Sequence, residues 1–85
     1  MKLTIKYFAS IREQLGITEE IVVIDVPHLT IDGLRSRLGS RDARTADALR
    51  DGRPVRIAVN YEMVAPTFVL RQDSEIAFFP PVTGG

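Results

Sequence analysis

The strongest candidate for a reactive group in this 85-residue sequence is the carboxylate of Gly85 at its C-terminus. The preceding residue, Gly84, also lacks a side chain, so nothing hinders approach to the terminal carbonyl carbon. A segment this slender could thread a narrow tunnel in another protein and bend inside it. We therefore expect the chemistry to take place at Gly85, with Gly84 as part of the same site.

Pro80 and Pro81 form a stiff spacer between that end and the rest of the chain. Proline has no backbone N–H and cannot continue a sheet ladder, and it favours an extended polyproline conformation. Six such residues could reach roughly 18–20 Å. A frayed terminus is the simple alternative, but a rigid spacer after an aromatic strand favours a functional arm. We predict a domain over residues 1–79 and an extended, flexible Gly-Gly tail over residues 80–85.

The side chains offer little chemistry of their own. The sequence has no cysteine, which excludes disulfides, zinc–thiolate sites and thiol nucleophiles. The single histidine, His28, follows a proline and is expected to be solvated. Glu19 and Glu20 are neighbours on a predicted strand, so they point to opposite faces and do not form an acid–base pair. No metal site is predicted.

The charge balance argues against nucleic acid as a partner. Lys+Arg and Asp+Glu number 11 each, whereas phosphate contacts need a surplus of cations. Residues 35–56 nevertheless hold seven arginines against three aspartates, which indicates either a solvated face or a docking surface for an acidic partner. No apolar run approaches the roughly 18 residues of a membrane span, and the N-terminus does not resemble a signal peptide. We expect a cytoplasmic protein that binds no membrane.

The rest of the chain predicts a small α+β domain. Strands are predicted from alternation and β-branched residues, and helices from apolar spacing and capping residues such as Ser10 with Glu13, and Thr30. The predicted order is strand 2–8, helix 10–16, strand 20–26, helix 31–39, helical turn 43–49, a turn at 51–52, and strands 55–60, 67–70 and 75–79. A mixed sheet with one main helix across it, short extra helices, and the last strand returning beside the first gives a β-grasp, or ubiquitin-like, arrangement.

The C-terminal sequence FFPPVTGG, residues 78–85, resembles the end of the small, sulfur-carrying subunits of molybdopterin synthase, a ubiquitin-like β-grasp family. KYFASIREQLG, residues 6–16, is similar to that family's first strand and helix, and AVN, residues 58–60, to its central strand. The resemblance covers the whole chain in order. Residues 71–74 depart from the Asp-Gly turn common in the family, and Gly33 lies where a helix-forming residue is usual.

The resemblance implies a sulfur carrier for molybdenum cofactor synthesis that is not an enzyme alone. An E1-like adenylating enzyme would join the Gly85 carboxylate to AMP from ATP, and a sulfur donor protein would then convert it to a thiocarboxylate. The large catalytic subunit of molybdopterin synthase, in a heterotetramer with two copies of each chain, would receive the sulfur on cyclic pyranopterin monophosphate. No cofactor is expected to bind stably, and AMP would be a transient covalent adduct.

The alternation in the last strand predicts that Phe79 points away from the core-facing Phe78. The resemblance implies that the exposed side takes part in partner contacts, and that an arginine on the first helix pairs with a partner carboxylate. Ordinary core packing for the apolar members and solvation for the arginine are the alternatives. The predicted partner-binding residues are Phe8, Arg12, Met63, Phe79, Pro80, Pro81, Val82 and Thr83.

Other functions remain open from the sequence. The chain could be a β-grasp sulfur carrier for thiamine, cysteine or tRNA thiolation, or an interaction module whose tail is incidental. A stand-alone enzyme is the third class, and the lack of a plausible side-chain nucleophile argues against it.

Overall fold

A computed structural model describes residues 1–50 and 53–81 of the chain. In chain order the elements are β1 (Lys2–Tyr7), α1 (Ala9–Leu15), β2 (Glu19–Val23), β3 (Leu29–Thr30), α2 (Ile31–Gly39), α3 (Ala43–Leu49), β4 (Arg56–Val59), β5 (Glu62–Val64), β6 (Val69–Leu70) and β7 (Ser74–Phe79). The predicted turn at residues 51–52 lies outside the described residues. Within those residues, no helix is long and apolar enough to cross a membrane.

The main sheet has five strands in the order β2-β1-β7-β4-β5. β1 and β7 are parallel, and every other neighbouring pair in this sheet is antiparallel. β3 and β6 form a separate two-stranded antiparallel sheet. The predicted return of the last strand to the side of the first is confirmed, and so is the α+β β-grasp arrangement.

One face of the main sheet, the inner face, packs against the helices to form the core. Alternate residues of β1, which are Leu3, Ile5 and Tyr7, are fully buried, as are Ile76 and Phe78 of β7. The helices complete the cluster with Ile11, Ile31, Leu34, Leu38 and Leu49. Burying each such side chain contributes about 1.5–3 kcal/mol, so the period-two pattern of the strands directly determines which face is covered.

Helix α1 begins earlier than the predicted Ser10 capping box. Its N-cap is Phe8, which makes no side-chain cap hydrogen bond. The Phe8 N–H donates to the carbonyl of Phe78 at 3.1 Å, so strand pairing continues to this residue and the chain turns at Ala9, where φ is +52°. Ser10 is therefore already inside the first turn and cannot cap it. The predicted end at Gly16 is confirmed, with φ +75°.

Helix α2 confirms the Thr30 cap and explains the glycine within it. The Thr30 hydroxyl accepts a hydrogen bond from the Gly33 N–H at 3.0 Å. A Cβ at Gly33 would lie 2.8 Å from Cδ1 of Leu29, closer than van der Waals contact allows. From the sequence alone, this glycine is expected only to destabilise the helix. In the fold, the Leu29 side chain occupies the space that a side chain at residue 33 would need.

Two strands differ from the prediction for reasons of pairing. β2 ends at Val23, not at residue 26, because its pairing with β1 ends where Lys2 lies opposite Val23, and the last bonds between the two segments join Met1 and Ile24. β5 was not predicted, and it forms a hairpin with β4 through Asn60 and Tyr61, both with positive φ. Such a two-residue turn matches the twist of its flanking strands.

Candidate functional site

Strand β7 leads directly into the predicted tail. Phe79, its last residue, pairs with Arg56 of β4. Pro80 and Pro81 follow without regular structure and are half-buried. The remaining site residues predicted from the sequence, which are Val82, Thr83, Gly84 and Gly85, lie outside the described residues.

A shallow apolar depression lies on the outer face of the sheet at this end of β7. It has a volume of about 500 Å³. Three of the residues predicted to bind a partner, Phe8, Met63 and Phe79, line it together. We call this surface the outer patch, and its residues are Phe8, Ala58, Tyr61, Met63, Ala77 and Phe79.

The strand register explains why the outer patch forms. Ala58 of β4 pairs with Ala77 of β7 on one side and with Met63 of β5 on the other. The two alanines are small, so they make a low floor, and Ala58 is buried although it faces outward. Larger side chains surround this floor, and Phe8 and Met63 remain 42% and 54% exposed. Exposed apolar clusters of this kind mark interaction sites.

An ion pair lies on the same face of the sheet, next to the patch. The Nζ of Lys6 lies 2.6 Å from Oε1 of Glu75. Lys6 and Tyr61 both act on this carboxylate and hold the pKa of Glu75 below its usual range, Lys6 more strongly. Glu75 in turn raises the pKa of the Lys6 ammonium and of the Tyr61 phenol. The apolar floor therefore has a charged border on its β1 side.

Arg12 is exposed on α1 but does not line the outer patch. Its side chain has no hydrogen-bond or ion-pair partner among residues 1–50 and 53–81. Its contact with a partner carboxylate stays a prediction.

Tyr61 is the large side chain of the outer patch that the sequence did not predict, and the two alanines of its floor were not predicted either. The alternation of the third predicted strand stopped at Asn60, and the residues after it were left unassigned. The available signal was an Asn in a two-residue connection between alternating segments, which is typical of a hairpin turn. Tyr61 is 87% exposed.

Glu20, which the strand alternation excludes from an acid–base pair with Glu19, joins two distant parts of the fold. Its carboxylate accepts a hydrogen bond from the Tyr7 hydroxyl at 2.7 Å and two from the Arg41 guanidinium at 2.6 and 2.9 Å. Arg41 holds the pKa of Glu20 below its usual range. The Tyr7 pKa is raised, first by burial and then by its bond to Glu20. This network satisfies the one polar atom that Tyr7 brings into the core.

Much of the arginine-rich segment serves internal contacts. Buried Arg35 donates to the carbonyls of Leu49 and Arg50 at the end of α3, at 3.0 and 2.9 Å. Arg50 pairs with Asp47. Two more arginines of the segment, Arg41 and Arg53, bond to Glu20 and Gln14. These contacts favour a structural role for the segment over a docking role. No group of three or more potential metal-ligating side chains occurs within the described ranges.

The comparison with known families decides the relationship. The model of the ThiS family matches residues 5–85. The chain belongs to the ThiS family. The match begins in β1 and includes residues 80–85, so this ThiS-family chain shares both the domain and the tail segment with its family. The resemblance inferred from the sequence is thereby confirmed.

A curated relative supports the same assignment. The ThiS-family chain is 39% identical over 83 residues to the molybdopterin synthase sulfur carrier subunit of Escherichia coli. The aligned region covers 98% of this chain and 99% of that protein.

Two solved structures show the same fold. A putative molybdopterin converting factor subunit 1 from Pyrococcus furiosus has a TM-score of 0.76 at 24% identity, over 96% of this chain and 99% of that one. A second neighbour comes from the complex of subunits 1 and 2 of molybdopterin-converting factor from Helicobacter pylori. It has a TM-score of 0.66 at 20% identity and covers 100% of both chains.

Proposed function

We propose that this chain carries sulfur for molybdopterin synthesis on the carboxylate of Gly85, as a subunit rather than as an enzyme by itself. The observation that carries the proposal is the family match, which runs to residue 85 and so includes the tail. The relative at 39% identity supports it, because that protein is a sulfur carrier subunit of molybdopterin synthase. In this proposal residues 1–79 are the docking body and residues 80–85 are the arm.

The carboxylate must be activated before it can accept sulfur, because it is anionic and its oxygen is a poor leaving group. A carboxylate oxygen of Gly85 attacks the α-phosphorus of ATP, held in an E1-like enzyme, and pyrophosphate leaves. The product is an acyl-adenylate. A sulfur donor protein then delivers sulfur at the oxidation level of sulfide to the carbonyl carbon, the bond to the phosphate oxygen breaks, and AMP leaves. Gly85 now ends in a thiocarboxylate.

The thiocarboxylate is ionised near neutral pH, and its sulfur is the better nucleophile of its two heteroatoms. In the large subunit the sulfur attacks a carbon of cyclic pyranopterin monophosphate and displaces an oxygen substituent from it. Water then cleaves the resulting thioester, so that the sulfur stays on the substrate and Gly85 returns to a carboxylate. Two such deliveries supply the two sulfurs of the dithiolene. Catalysis comes from positioning of the arm by the partner proteins, and the absence of side chains at Gly84 and Gly85 keeps the reacting carbonyl accessible.

The outer patch gives the body a surface with which to dock. Phe79 is the last residue of β7 and also lines the outer patch. A protein that receives the tail would therefore lie next to this surface. Phe8 and Met63 are the other predicted contacts on the body, and Arg12 would pair with a partner carboxylate. Pro80, Pro81, Val82 and Thr83 would lie inside the partner's tunnel and contact its walls.

The proposed partners are the large subunit, in a heterotetramer with two copies of each chain, the E1-like enzyme and the sulfur donor. All of them are expected in the cytoplasm, where ATP is available.

Intact-mass spectrometry after incubation with ATP, the adenylating enzyme and a sulfur donor tests the proposal. The wild-type chain should gain about 16 Da, the difference between sulfur and oxygen. Two matched variants should gain nothing: one lacks Gly85, and the other carries one extra residue after it. A gain of equal size in the extended variant would place the sulfur elsewhere and overturn the proposal.

The pathway is tested separately. The charged chain, mixed with the large subunit, should convert cyclic pyranopterin monophosphate. A chain that charges but does not convert this substrate would be a carrier for another pathway. A chain that never charges, and whose biological activity survives deletion of Gly84 and Gly85, would be an interaction module.

A further inference from the structure

Tyr61 adopts a backbone conformation that does not suit its residue type. Its φ is +71°, in the left-handed region where a Cβ crowds the carbonyl oxygen. In a two-residue hairpin turn with positive φ at both positions, glycine is the favoured second residue. Asn60, the first residue, tolerates such angles, but an aromatic side chain at the second position is strained.

The strain coincides with the outer patch. Among the described residues, the non-glycine residues with positive φ are Ala9, Asn60 and Tyr61. Ala9 directly follows Phe8 of the patch, and Asn60 and Tyr61 form the hairpin turn at its margin. Strained backbone positions collect at functional sites, where function outweighs the loss of stability.

The fold itself gives little reason for an aromatic ring at this position. Tyr61 is 87% exposed, so its ring contributes little to the core. The Glu75 carboxylate raises the pKa of the Tyr61 phenol, but this carboxylate already has Lys6 as an ion-pair partner at 2.6 Å. A ring held out from a strained turn beside an apolar depression has the geometry of an interface anchor, because it brings large area with few rotatable bonds.

We propose that the ring of Tyr61 is a binding contact for the protein that receives the tail, retained at the expense of stability. This inference rests on the proposed function and assigns the occupant of the outer patch to the large subunit. Two observations favour this occupant: the patch reaches Phe79, the residue directly before the tail segment, and the relative at 39% identity is named as a subunit of molybdopterin synthase, so its body belongs to a complex with the other subunit. The large subunit would offer an apolar pocket that takes the Tyr61 ring.

The test uses the full-length chain and the purified large subunit. It measures thermal stability and binding affinity, which should change in opposite directions. Tyr61→Gly should raise Tm by about 4–8 °C, since glycine relieves the positive φ. The same variant should weaken binding to the large subunit by about tenfold or more in calorimetric titration. Tyr61→Phe should bind within about twofold of wild type, because the ring is kept.

Val23→Thr is the matched control. Val23 is a 74% exposed apolar residue of the same sheet, on β2 and away from the outer patch. Its substitution should leave the dissociation constant unchanged.

Three results would overturn the inference. A fall in Tm for Tyr61→Gly would show that Tyr61 stabilises the fold, and unchanged binding would show that its ring is not a contact. A loss for Tyr61→Phe as large as that for Tyr61→Gly would assign the contact to the phenol alone. Failure of the wild-type chain to bind the large subunit at all would instead overturn the proposed function, so the two failures are distinguishable.

Discussion

Phe78 and Phe79 are adjacent residues of one type on one strand, and they have opposite environments. Phe78 is fully buried on the inner face and stacks on Tyr7, with ring centroids 6.1 Å apart. Phe79 is half-buried and lines the outer patch. The strand alternation that places them on opposite faces also divides their roles. Residues of the inner face form the core of the domain, whereas the outer face at the end of β7 keeps large apolar side chains partly exposed.

The two faces differ in what covers them. Helices α1, α2 and α3 bury side chains in the inner core. The outer face near β7 has a floor of two alanines and partly exposed large side chains around it. A substitution on the inner face should therefore act on folding, and one on the outer patch on binding.

The largest effect is expected on the inner face. Phe78→Ala should lower the free energy of unfolding by about 3–5 kcal/mol, through lost burial and the cavity left behind. Guanidinium chloride denaturation measures it. Phe79→Ala, one residue on, should lower it by less than about 1 kcal/mol, because the side chain is only half-buried. Equal losses in the two variants would remove the distinction between the faces.

The second largest effect is expected on partner binding by the outer patch. Phe79→Ala should weaken binding to the large subunit by about 2 kcal/mol, roughly thirtyfold, as expected for an aromatic anchor. Calorimetric titration measures the dissociation constant. The control is Ile21→Thr, which changes a 61% exposed residue of β2 and should bind like wild type. Thirtyfold weaker binding by this control would show that the whole outer face, not the patch, contacts the partner.

A smaller effect on stability is expected for the hydrogen-bond network of Tyr7, Glu20 and Arg41. Arg41 depresses the pKa of Glu20, so the ionised carboxylate stabilises the fold above its unfolded pKa of about 4.3. That stabilisation is lost as pH falls through the folded pKa. Glu20→Gln should therefore be less stable than wild type near neutral pH by about 1 kcal/mol. The difference should shrink in thermal melts below about pH 4, and a constant difference would contradict this account.

The smallest effect is expected for the ion pair beside the patch. Lys6 and Glu75 are both partly exposed, so water and salt screen their attraction. Glu75→Gln should change Tm by no more than about 2 °C, and the change should vanish as ionic strength rises. A larger or salt-independent change would mean that the outer face also contributes substantially to stability.

Local signals predicted those parts of the fold that depend on nearby residues. The alternation of Leu3, Ile5 and Tyr7 gave the inner face of β1, and Thr30 and Gly16 gave a helix start and a helix end. The Ser10 cap was wrong because the pairing of Phe8 with Phe78, some 70 residues away in the sequence, moved the start of α1. β3 was missed because it has two residues and forms only against β6.

The residues of the candidate site also fall into two groups: those that the sequence alone pointed to, and those that only the structure brings together. The interest of Gly84 and Gly85 follows from their lack of side chains and from the prolines before them, which are properties of the sequence. Phe8, Met63 and Phe79 were named individually, but only the structure shows them lining one depression.

The sequence by itself determined which residues alternate, where the chain can cap a helix, and that two prolines precede its last Gly-Gly pair. These properties depend on residue type and on neighbours a few positions apart. Only the tertiary structure decided that Tyr61 joins the outer patch and that Glu20 bonds to Tyr7 and Arg41. Such contacts depend on the register between strands that are distant in the chain, and that register is fixed only when the whole core packs.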